Sequence, residues 1–182
     1  FIGYAGNSGS SLGPHLHFEI RQTASQRVLN VVKLGIYDIK DDIPPMIVKL
    51  HYIEVDTVRG VPVHAQPRSL EVRNTSRGKY VLADTSVLEI GPKGYFVLEA
   101  TDRKNNTHNT MGVYSARMKI DGDQVFAFYL DNFLFDQTRY VNSLTHYAMQ
   151  KGSRNELLRL AVQANNRLPA YSGVRNQGAV LL

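Results

Sequence analysis

The chain has 182 residues, 43% of them hydrophobic and 20% charged, with ten Tyr and seven Phe, a composition that builds a buried core and excludes a disordered polymer. It has no Cys, which excludes disulfides and thiolate metal sites, and no apolar run approaches the ~20 residues that cross a bilayer as a helix. The formal net charge is +5, and residues 133–182 carry six basic against two acidic side chains. A solvated basic face accounts for that excess. Nucleic-acid binding would call for interleaved basic and aromatic residues, and none are seen.

Taken in chain order, residues 1–35 come first. They open without Met on a strand-like Phe1-Ile2-Gly3-Tyr4, as a piece cut from a longer protein would, and pass through a Gly- and Ser-rich turn. The run Gly13-Pro14-His15-Leu16-His17-Phe18-Glu19-Ile20 comes next. On a strand, residues two apart share a face, so His15, His17 and Glu19 are expected on one side while Leu16, Phe18 and Ile20 bury the other. Two imidazoles on one face suit a metal or a reacting water. Spacing alone, however, fits two exposed histidines on an ordinary strand more readily. Glu19 reads equally well as a group that orients a histidine and as an exposed carboxylate.

Residues 36–45 hold Asp38, Asp41 and Asp42 and end on Pro44-Pro45, the pattern of a solvated linker. From Met46 the pattern changes to short runs rich in Val, Ile, Tyr and Phe. Strands are predicted over 46–55, 60–65, 80–83, 87–90, 95–100, 112–120 and 125–130. Turn signals separate them: 74–78, Gly91–Gly94, 102–109 and Asp121-Gly122-Asp123, the last suited to a tight hairpin. Such density predicts an immunoglobulin-like β-sandwich over 46–132. The loop from Asp102 to Asn106 holds Arg and Lys, so Asx-type turn capping explains it better than a cation site. Residues 133–182 are expected to be a helical segment with a terminal strand, or the start of a further domain. Helices are predicted over 138–150 and 153–164, with Ser153 as N-cap. A strand is predicted over 178–182 that either pairs back onto the sandwich or opens that further domain. His51, His64, His108 and His146 are scattered singly and read as ordinary surface or strand histidines. Tyr140 with Arg139, Arg154 and Arg159 reads as a packed aromatic flanked by solvated arginines.

The run from Gly6-Asn7-Ser8-Gly9 through Ser11, Gly13-Pro14-His15-Leu16-His17-Phe18-Glu19 to Arg21 resembles the closing motif of the lysostaphin-like zinc metallopeptidases. That motif usually reads Ser-Thr-Gly-Pro-His-Leu-His-Phe-Glu; Leu12 stands here in place of Thr. Val28–Val32 resembles the family's Asn-Pro segment just after the motif, with its Pro lost. The resemblance covers about the first 35 residues. It implies that His17 is the family's third zinc ligand and His15 its non-ligand catalytic histidine. The family's first two ligands come from an upstream His-x-x-x-Asp, which does not occur here, so the chain is expected to be inactive alone.

The fold implied is mainly β: the remnant of an antiparallel-β peptidase domain (1–35), a linker (36–45), an immunoglobulin-like sandwich (46–132) and a short C-terminal helical segment (133–182). The implied activity of the complete enzyme is Zn²⁺-dependent hydrolysis of peptide stems or cross-bridges of bacterial peptidoglycan, in the periplasm or outside the cell. A non-catalytic envelope module for binding or scaffolding is the alternative.

Overall fold

The computed structural model describes residues 1, 3–9, 12–84 and 88–181. In chain order its strands are β1 (Ile20–Arg21), β2 (Val28–Leu29), β3 (Met46–Val58), β4 (Val61–His64), β5 (Arg68–Ser76), β6 (Lys79–Leu82), β7 (Lys93–Thr101), β8 (Ser115–Ile120), β9 (Asp123–Tyr129) and β10 (Asn132–Phe133). Two single-turn helices, α1 (Thr138–Val141) and α2 (Tyr147–Gln150), precede β11 (Glu156–Arg159) and β12 (Val180–Leu181). Every strand pair among the described residues is antiparallel. No described helix is long and apolar enough to cross a membrane.

β3 and β7 are the centre of the main sheet, whose order is β11-β7-β3-β5-β6, with β12 also on β7 and β4 also on β3. Both strands read as nearly continuous apolar runs, the pattern of strands covered on both faces. Alternation then divides them. Tyr95 and Val97 join Ile53, Leu157 and Ala161 in one cluster, against which Met149 of α2 packs. Ala100 joins Phe126 and Phe128 of β9 with Leu144, Leu158, Leu160 and Leu168 in the other, and Phe96 and Leu98 pack against it. The β8–β9 hairpin covers this second face. Its turn residues Asp121 (φ 51°) and Gly122 (φ 87°) both have positive φ, as a two-residue turn matched to strand twist requires, and Gly accepts that conformation without strain. Residues 170–175 run beside β9, with Tyr129 N donating to Ala170 O (2.9 Å) and Ser172 N to Ala127 O (3.0 Å).

Residues 20–33 attach to the same body. β2 pairs with β10, Leu29 opposite Asn132; Asn30 Nδ2 donates to Leu130 O (3.2 Å), and Lys33 Nζ to Tyr114 Oη (2.7 Å). In the linker, Asp42 N donates to Asn105 Oδ1 (3.1 Å) and Asn105 Nδ2 returns a bond to Asp42 Oδ1 (3.0 Å). Within the 102–106 turn, Arg103 N donates to the neighbouring Asp102 Oδ1 (2.8 Å).

Several expectations are corrected. Residues 153–164 form no helix; their centre is β11, paired with β7 from Glu156 opposite Ala100 to Arg159 opposite Val97. Apolar residues at Leu157, Leu158, Leu160 and Ala161 fit a helical face, but they fit equally a strand buried on both sides, and the open edge of β7 decides for the strand. Ser153 is no N-cap: its hydroxyl donates to Glu99 (3.0 Å). The helix expected over 138–150 is interrupted at Thr145, which bridges Leu158, and at His146, whose ψ of 87° is not helical. Strand β5 was not expected; in its polar sequence only Leu70 and Val72 are half-buried. The strand expected over 87–90 begins at a residue outside those described, and Leu88–Ile90 form none. The terminal strand does pair back, Val180 opposite Gly94, while Leu182 lies outside the described residues.

Candidate functional site

Around the His15–His17 motif the backbone forms a bend at Leu12-Gly13, and His15 N donates to Gly6 O across a single antiparallel bridge (3.3 Å). Ser10 and Ser11 lie outside the described residues. Beyond this bridge, residues 16–19 pair with no strand, so the expected division of faces is not realised. Leu16 is 71% and Phe18 52% exposed, and only Ile20, where β1 begins, is half-buried. Alternation buries a side chain only where a second layer lies over it, and none of the described residues supplies that layer here. Phe18 does find one edge-on neighbour, Tyr37, at 5.5 Å between ring centroids.

Both imidazoles are exposed. His15 Nδ1 sits 2.9 Å from Gly13 O. A carbonyl only accepts, so Nδ1 is the donor in this contact. His17 Nε2 is 3.7 Å from Glu19 Oε2, beyond hydrogen-bond reach but within ion-pair range. Glu19 is engaged first by Arg21, whose Nε donates to Oε1 (2.8 Å) and whose Nη2 makes a second, shorter contact. The bonds from Arg21 hold the Glu19 carboxyl below the usual carboxylate range. Glu19 therefore faces His17 as an anion, the state that could orient an imidazolium or a metal-bound ring.

A catalytic zinc needs three protein ligands. His15 and His17 supply two nitrogens, and among the described residues no group of three or more His, Asp or Glu is arranged to hold a metal. The described residues do not by themselves complete a zinc site.

Of the other histidines, His64 on β4 and His108 are exposed, as expected of surface or strand histidines, whereas His51 and His146 are buried. His51 is 5% exposed; its Nδ1 is 3.0 Å from Ser69 Oγ and its Nε2 3.2 Å from Glu99 Oε2. Burial pushes the Glu99 carboxyl up, but bonds from Asn155 (2.8 Å), Ser153 (3.0 Å) and His51 outweigh it and leave the carboxyl below its ordinary value. On the same sheet face, the Tyr95 hydroxyl lies 3.1 Å from His146 Nε2 and 3.3 Å from His64 Nδ1. The Arg159 guanidinium stands 4.6 Å over the Tyr95 ring. Burial, and then the charge of Arg159, depresses both imidazoles, His146 to about 4. Arg159 is thus not the solvated arginine expected, whereas Arg139 is exposed beside Tyr140 and Arg154 is exposed. No local spacing links His51, His64 and His146; strand pairing alone brings β3, β4, β7 and the α2 cap onto one face. The one legible signal was Arg159 in register with apolar Leu157, because a cation at an inward strand position needs a partner.

No family model matches the chain, and neither the curated proteins nor the solved structures contain a match to it.

Proposed function

We propose that residues 1–35 are the C-terminal end of a zinc-dependent endopeptidase domain that hydrolyses peptide stems or cross-bridges of bacterial peptidoglycan in the cell envelope. The β region after residue 45 would then be an appended immunoglobulin-like module. The observation that carries this reading is the motif Gly13-Pro14-His15-Leu16-His17-Phe18-Glu19, with both imidazoles exposed. The exposed Leu16 and Phe18 support it too, since side chains of that size ask for a covering layer. In this reading His17 is one zinc ligand, with the remaining ligands supplied from outside the present 182 residues. His15 handles the proton or oxyanion at the reacting carbonyl, and Glu19 orients His17.

The test uses the complete protein, with metal content measured beside peptidoglycan hydrolysis. His17→Ala is expected to lose both zinc and turnover, because removing one of three ligands leaves a poor site. His15→Ala is expected to keep its zinc while turnover falls by roughly 10²–10⁴, the usual weight of a positioned acid, base or oxyanion donor. Equal metal loss in both variants would remove the division of roles. Unchanged hydrolysis in both would sink the peptidase and leave a non-catalytic envelope module.

A further inference from the structure

Between the β3–β4 hairpin, the start of β7, β11 and the 161–164 and 177–179 segments lies a pocket of about 400 Å³. Its polar wall is His64, Lys93, Tyr95 and Arg159, with the amides of Gln163 and Gln177, and no Asp or Glu lines it. The rest is small and apolar, Val55 and Ala161 among it. Strand alternation explains the missing carboxylates. Val55 faces the pocket, so its neighbours Glu54 and Asp56 project from the opposite face of β3. Lys93 and Arg159 make no ion pair with any carboxylate among the described residues. Arg159 Nε is buried with no hydrogen-bond partner, and so is Nδ1 of His146 just behind Tyr95.

A half-buried guanidinium with an orphaned N–H is costly unless something accepts from it. Stacking on Tyr95 offsets part of such a cost but gives Nε no acceptor. Two imidazoles within reach of Tyr95 are held neutral, so they add donors or acceptors without adding counter-charge. A site with two cations, a hydroxyl, an imidazole edge and small apolar walls is complementary to a carboxylate carried on a short aliphatic group.

We infer that this pocket binds a carboxylate-bearing short aliphatic ligand, of which a peptide C-terminus is the simplest kind, with Arg159 and Lys93 on the carboxylate and the Val55–Ala161 wall on its substituent. The inference does not depend on the peptidase reading, since the pocket shares no residue with the His15–His17 motif.

The test titrates the ¹⁵N-labelled chain with N-acetyl-alanyl-alanine and, separately, with its C-terminal amide, following the Arg159 Nε–H resonance. The acid should move that resonance and bind about tenfold or more tighter than the amide, the weight of one charge-assisted hydrogen bond. Lys93→Met, at an exposed position that the fold tolerates, should weaken the acid and leave the amide unchanged. Arg159→Gln should abolish the preference. Equal affinity for acid and amide, or an acid affinity indifferent to Lys93→Met, would overturn the inference, as would a silent Arg159 resonance at ~10 mM acid. Inorganic phosphate is titrated as a third arm; phosphate binding tighter than the acid would overturn the carboxylate assignment and make the pocket a phosphate site.

Discussion

The N-terminal arm and the main sheet treat the same side chain in opposite ways. In residues 1–19, His15 and His17 stand in solvent beside exposed Leu16 and Phe18, with Gly13 O beside the first imidazole and Glu19 beside the second. In the sheet, His51 and His146 keep 5% and 8% of their surface, and their partners come from strands far away in sequence. Exposure leaves an imidazole free to meet a metal or substrate at little cost to the fold. Burial converts its protonation into a stability term and its ring into a structural joint. On the proposed function, the exposed pair carries the chemistry and the buried pair the architecture.

The contrast is broken most severely by truncating core side chains. Phe126, with no exposed surface, sits where β9 meets the sheet, and Phe126→Ala is expected to cost about 3–5 kcal/mol in urea unfolding. Leu16→Ala, at 71% exposure, should stay within about 0.5 kcal/mol. A comparable loss at both positions would mean that the arm is packed as tightly as the sheet.

Next in size is a pH effect carried by His146. The folded chain holds this imidazole neutral down to about pH 4, whereas the unfolded chain protonates it near the ordinary 6.5. Between those values the unfolded state binds more protons. Stability contributed by the neutral ring is therefore complete above pH 6.5 and is lost as pH falls toward 4, by up to roughly 3 kcal/mol. Urea midpoints at pH 7 and 4.5 check this. His146→Gln, which cannot titrate, should lose distinctly less than the parent between the two, and parallel losses would disprove the assignment.

How much of this could be read beforehand depended on range. The central strands were legible, because Met46–Val55 and Tyr95–Ala100 are apolar enough to be strands in any context, and so was the Asp121-Gly122 hairpin, whose turn chemistry is local. β11 was not, since Leu157, Leu158, Leu160 and Ala161 serve a helix or a doubly covered strand equally, and only the free edge of β7 chooses. β5 was hidden by its polar face. In the candidate site, the His15–His17 pair was legible as chemistry because it is contiguous. Its burial pattern was misread, because alternation states which residues share a face and not whether anything covers it. The His64–Tyr95–His146–Arg159 group spans 96 positions of sequence with no internal spacing rule, so pairing had to be known first.

A smaller effect tests how closely the C-terminal segment is seated against the sheet. Gly178 has φ +77°, and a Cβ there would stand 2.7 Å from Leu160 O and 2.9 Å from the Ala161 Cα. Both neighbours are backbone and cannot swing aside. Gly178→Ala should therefore cost about 1–3 kcal/mol, part from the left-handed conformation and part from the displaced segment. Because the segment carries Gln177 and Ala179 of the pocket, the same variant should also loosen carboxylate binding there.

The smallest expected effect is the sharpest test of the contrast. Deleting residues 1–17 removes both site histidines and the Gly6–His15 bridge but keeps the Phe18–Tyr37 contact, β1, β2 and every bond that β2, Asn30 and Lys33 make to residues 114–133. Neither core cluster contains a residue before Ile53. The shortened chain should unfold within about 0.5 kcal/mol of the parent, the range of surface changes that touch no core. Deleting 1–35 should be visibly worse, because it also strips β10 of its partner, yet the sheet should still fold from about residue 43 with its amide dispersion intact. If loss of 1–17 alone destabilised the chain by more than ~1 kcal/mol, the exposed Leu16 and Phe18 would be contributing to the fold after all. The arm could then no longer be regarded as a segment held ready for a covering layer.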